Sequence, residues 1–177
     1  IFTKAKEKSE IQKQKEQLER ELASIDKGID FSKYKDSVES LQMELVLFSA
    51  WAKIVKEASI SDNKEVNNLG KKLQDKVVQL QLKEFPIMRK SYGKAVYQKL
   101  WEENIETEIF GINNATIQFT GGIFASNKAK QQTQETLNEV LNMFRFKRSN
   151  YKWYQYDDNY TYYEINSPSD GDLVSFK

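Results

Sequence analysis

The hydrophobic spacing of this chain changes near residue 104, and that change limits the fold more than any other feature. Before it, apolar residues recur every three or four positions, the spacing of one helix face. After it they alternate with polar residues, the spacing of a half-buried strand. Helices grouped before strands call for an α+β chain rather than alternating βα units.

The helical half divides at its breakers. Ile11, Leu18, Leu22, Ile25 and Ile29 form a narrow coiled-coil-like seam that predicts a first helix over 4–28, stopping at Gly28. Lys4, Lys8 and Lys15 occupy early seam positions and weaken its start. A second helix is predicted over 32–59. Val38, Leu41, Leu45, Phe48, Ala52 and Val55 make one stripe, with Leu47, Trp51, Ile54 and Ala58 beside it. Two adjacent stripes make a wide buried face. The capping run SISDN at 59–63 opens a third helix over 62–85, and Pro86 separates a fourth over 86–104. The expectation is an antiparallel helical bundle, with the first helix packed along it or projecting from it.

The remainder predicts a ββαββ unit over 105–166: a four-stranded antiparallel sheet with one helix on one face, followed by a loop-like tail over 167–177. In the first hairpin, a three-residue turn at Ile112, Asn113 and Asn114 faces Ile109 with Ile117 and Thr107 with Phe119. Ile105, Ile109, Ile117 and Phe119 then share the buried side, opposite Glu106, Glu108 and the exception Phe110. Ser126 caps a helix reaching about Phe144. In the tail, Leu173, Val174 and Phe176 are apolar enough to dock.

The second hairpin holds six Tyr and one Trp between Tyr151 and Ile165. A turn at Asp158 and Asn159 faces Tyr154 with Tyr163 and Lys152 with Ile165. It leaves Tyr151, Trp153 and Tyr162 on the side away from the helix. Tyr and Trp give contact area at low entropy cost, and Arg145, Lys147 and Arg148 stand ready to rim such a patch. Aromatic cross-strand pairs also stabilise a hairpin with no partner at all, so structural use of these rings is the competing reading.

Chemistry narrows by exclusion. The chain has no His and no Cys. Disulfides, thiol nucleophiles, imidazole bases and Cys/His metal sites are therefore absent, and no cofactor or metal is expected. A net charge of +1 and the lack of Gly–aromatic strand steps give no support for nucleic-acid binding. No run approaches the length of a membrane span. The opening IFTKAKEK, an apolar pair before lysines, fits the trimmed end of an export or anchor segment, which points to a bacterial cell envelope.

Three functions follow as expectations. The leading one is a non-catalytic interaction or scaffold protein presenting an aromatic sheet face to a protein or glycan. The second is a hydrolase using only carboxylates, with Glu106 and Glu108 as its pair on one strand face. The third is a homo-oligomer joined through the N-terminal helix.

Overall fold

The computed structural model describes residues 2–166, without the side chains of residues 2, 3 and 138. The apolar tail residues Leu173, Val174 and Phe176 lie outside the described residues.

Helix α1 spans Phe2–Lys27 and ends where Gly28 takes φ +91°. The Gly28 amide bonds the Ile25 carbonyl at 3.0 Å. The seam turns inward: Leu18 is buried, and Ile11, Leu22, Ile25 and Ile29 pack against the same core. Ion pairs Lys15–Glu65 and Lys76–Asp26 tie α1 to the third helix. The Trp51 indole donates to Glu21 at 3.0 Å and ties α1 to the second. The first helix therefore lies along the bundle.

Helix α2, Val38–Ser59, starts later than the predicted residue 32, because residues 32–34 form a single 3-10 turn. Ser37 is its cap, accepting from the Ser40 amide at 3.1 Å. Helix α3, Lys64–Trp101, corrects the predicted split at Pro86. Asn63 caps it, accepting from the Glu65 and Val66 amides at 3.1 Å. A proline inside a helix removes one hydrogen bond and costs about 3 kcal/mol. Here Phe85, Met88, Tyr92 and Val96 are all buried around and beyond it. Burying such side chains is worth about 1.5–3 kcal/mol each, which outweighs the local penalty.

After α3 come strands β1 (Ile105–Phe110) and β2 (Thr116–Gly121), and helices α4 (Asn127–Thr136) and α5 (Asn138–Met143). Strands β3 (Arg148–Tyr154) and β4 (Tyr160–Asn166) complete the unit. Ser126 caps α4 as expected, accepting from the Ala129 amide at 3.0 Å. The strands form one sheet in the order β1-β2-β3-β4. The α+β architecture is thus present. The central pair β2/β3 is parallel, however, which corrects the all-antiparallel sheet and makes it mixed. The α4–α5 crossover carries the chain back before β3 begins, and a crossover is what a parallel pair requires.

The first hairpin has the predicted register, with Ile109 opposite Ile117 and Thr107 opposite Phe119. Gly111, Asn113 and Asn114 all take positive φ in its turn. The second does not: Tyr154 faces Tyr160, Lys152 faces Tyr162 and Tyr151 faces Tyr163. Asp157 and Asp158 are the positive-φ residues, and the Asn159 amide closes on the Tyr156 carbonyl at 2.8 Å. The register differs from expectation by three residues, an odd number. An odd slip turns one strand over relative to its partner.

One sheet face is covered by α3 and the crossover. It carries Ile105, Thr107, Ile109, Ile117, Phe119, Gly121, Ser149, Tyr151, Trp153 and Ile165. Tyr92 of α3 meets Phe144 and Phe146 there, at centroid distances of 4.6 and 6.0 Å. Arg89, fully buried, donates from Nε to the Phe144 carbonyl at 3.0 Å and from Nη1 to the Asn113 carbonyl at 2.8 Å. One guanidinium thus ties α3 to both the crossover and the first hairpin.

Candidate functional site

The slipped register decides which rings face out. Tyr151 is 0% exposed and Trp153 5%. Both belong to the covered face, which corrects their assignment to an outward patch. Parallel pairing sets Tyr151 beside Phe119, their rings stacked at 5.4 Å, and Trp153 beside Gly121. A Cβ on Gly121 would lie 2.8 Å from Trp153 Cε3, so glycine is what lets the indole turn inward. Trp153 Nε1 donates to Gln134 of α4 at 3.4 Å. Burial pushes the Tyr151 phenol above its ordinary pKa.

Among the described residues, no helix lies over the opposite face. Strand alternation places Glu106, Glu108 and Phe110 there from β1, and Thr116, Gln118 and Thr120 from β2. From β3 it receives Arg148, Asn150, Lys152 and Tyr154, and from β4 Tyr160, Tyr162 and Glu164. Tyr162, expected to face outward, does so at 52% exposure. Tyr154 and Tyr160 meet edge to face at 5.5 Å, and the Lys152 ammonium sits 4.7 Å above the Tyr160 ring. Arg148 Nε lies 3.5 Å from Glu164 Oε1, and the Tyr162 hydroxyl donates to Glu164 Oε2 at 3.5 Å. At the centre of the face Asn150 is buried, and its Oδ1 has no hydrogen-bond partner among the described residues.

The same face runs into a cavity of about 330 Å³ at the Tyr160 end of the sheet. Trp101, Asn104, Glu106, Thr120, Phe124 and Tyr160 are among its walls. Trp101 is 55% exposed and Phe124 79%, and the Tyr97 ring lies 5.5 Å from Trp101. Their positions follow from local signals: α3 ends just past Trp101, and the β2–α4 turn at 122–125 lifts Phe124 outward.

Of the predicted rim, Arg148 is on the open face. Arg145 and Lys147 belong to the segment that enters β3, with Arg145 at φ +57°. The carboxylates Glu106 and Glu108 share the open face, but only Glu106 lines the cavity, while Glu108 accepts from Gln118 Nε2 at 3.5 Å. Sequence reasoning missed Tyr154, Tyr160, Trp101 and Phe124. Trp101 and Phe124 were legible as large apolar residues at element ends, whereas the two tyrosines needed the register.

Among the described residues, no cluster of three or more His, Cys, Asp or Glu is arranged to hold a metal ion, and no helix is long and apolar enough to cross a membrane. Comparison with known proteins finds no matching family model, no similar curated protein and no similar solved structure.

Proposed function

We propose that this chain is a non-catalytic interaction protein whose open sheet face receives a protein or glycan partner. One observation carries the reading. Phe110, Tyr154, Tyr160 and Tyr162 stand on the sheet face that no described helix covers, and that face continues into the cavity beside Trp101 and Phe124. Exposed aromatic area of this kind, edged by polar groups, is the composition of binding surfaces. Ring faces offer apolar contact, while Asn104, Glu106 and Thr120 offer hydrogen bonds at the same place.

Trp101 makes the glycan arm measurable, because Trp51 and Trp153 are both buried. Titration with oligosaccharides of glucose and of N-acetylglucosamine reads its emission, with Trp101→Phe as the blank. For a protein partner, a photo-crosslinking residue replaces Tyr162 in cells that make the chain, with exposed Met43 on α2 as the control position. A Trp101-dependent shift, or an adduct formed at Tyr162 and not at Met43, supports the reading. Silence in both arms ends it.

A further inference from the structure

We propose that the free edge of β1 receives an extended, acidic peptide as a fifth strand. This edge borders the open face, but different observations carry the proposal.

The phase of the β1–β2 ladder comes first. The Gly122 amide bonds the Asn104 carbonyl at 3.1 Å. Hydrogen-bonded pairs alternate in an antiparallel ladder, so Glu106 and Glu108 exchange bonds with β2. The amides and carbonyls of Thr107 and Ile109 therefore point the other way, toward the sheet edge; those of Ile105 do too, but that residue is fully buried. No described residue bonds them there. β1 is the terminal strand, its pairing with β2 is continuous, and it has no proline. Such an edge is a template for another strand.

A groove of about 480 Å³ lies beside that edge, between α3 and β1. Its walls include Gly93, Tyr97, Thr107 and Ile109, with Lys90 and Lys94 one helical turn apart. Gly93 lets the helix approach closely, since a Cβ there would lie 2.3 Å from Ile109 Cγ1. Neither lysine has an ion-pair partner among the described residues. Thr107 is 8% exposed, and its hydroxyl is buried with no hydrogen-bond partner among the described residues. The groove thus combines a row of outward backbone groups, an apolar wall and two cations without an ion-pair partner among the described residues.

These features define the occupant. Side chains of an added strand alternate between the groove and the open face. On the groove side, apolar groups meet Tyr97 and Ile109 and carboxylates reach Lys90 and Lys94. On the open side Glu106 and Glu108 repel acids, so neutral residues belong there.

The probe is a fluorescein-labelled octapeptide with Thr at odd positions and Val and Asp alternating at even ones. Binding is read by anisotropy on the full chain, and amide hydrogen exchange locates it. At nine-tenths occupancy, exchange at Thr107 and Ile109 should slow roughly tenfold, while Glu106 and Glu108, already bonded to β2, stay unchanged. Lys90→Glu with Lys94→Glu should weaken binding about tenfold, and both sites are exposed enough to leave the fold intact. N-methylation of the peptide's β1-facing amides should abolish binding to the unaltered chain. The proposal is overturned by equal affinity for a peptide with Lys in place of Asp, or by binding without protection of Thr107 and Ile109. It is also overturned if light scattering shows a second copy of the chain already protecting that edge.

Discussion

Glu44 offers the sharpest quantitative test of the packing. Its carboxyl is fully buried on α2, where Oε2 accepts from the Lys35 ammonium and Oε1 has no partner among the described residues. Glu84 of α3 shares the same lysine, 3.4 Å away. Two carboxylates around one ammonium leave an excess buried negative charge if both ionise. Burial pushes the Glu44 carboxyl from its ordinary 4.5 up to about 7; the Lys35 contact opposes this, and Glu84 adds a smaller push. The folded chain then holds a proton that the unfolded chain has released between those two values. Stability from this group is complete below about pH 4.5 and is lost as pH rises through about 7. The gap corresponds to about 3 kcal/mol. Glu44→Gln is close to isosteric and cannot ionise, so it should stabilise the chain progressively against the parent across that window. The relative gain at pH 8 over pH 4.5 should approach about 3 kcal/mol, or about 6–12 °C in Tm for a chain of this length. Urea unfolding of both proteins, followed by circular dichroism at half-unit pH steps, measures the difference directly. A difference that stays flat within about 1 kcal/mol over the window would refute the assignment of a proton to Glu44.

Other substitutions separate the two sides of the sheet. Trp153→Ala should cost about 3–5 kcal/mol in urea unfolding, because its ring is enclosed between β2 and α4. Tyr162→Ala should stay within about 0.5 kcal/mol of the parent; a large loss would mean that the open face is packed. Gly121→Ala should cost about 1–3 kcal/mol, since its methyl meets the Trp153 ring, and a neutral result would refute the close approach. Arg89→Ala should lower stability by at least about 3 kcal/mol, leaving the Phe144 and Asn113 carbonyls without their donor; hydrogen exchange should show the loss concentrated where α3 meets the first hairpin.

Much of the architecture was legible before any coordinate. The change of period near residue 104 separates the helical half from the sheet-forming half, and Gly28, Asn63 and Ser126 sit at helix ends for local reasons of φ or hydrogen bonding. The first hairpin was readable to its register because two signals agree. Gly111, Asn113 and Asn114 tolerate positive φ, and apolar alternation sorts Ile105, Ile109, Ile117 and Phe119 to one side. Pro86 shows the limit of a local rule: the breaker is real, but α3 has buried side chains on both sides of it, and tertiary packing holds the helix whole.

The aromatic hairpin is where sequence alone runs out. Rings occur on both faces of β3 and β4, so alternation cannot say which side is the core, and a slip of an odd number of residues exchanges the two without changing composition. Only the parallel docking of β3 on β2, with Phe119 beside Tyr151 and Gly121 making room for Trp153, settles that these two rings go in and Tyr154, Tyr160 and Tyr162 stay out. The order of the elements is written in the spacing of apolar residues. The identity of the exposed surface is not, because it depends on which neighbour each strand meets and how closely that neighbour's backbone lets it approach.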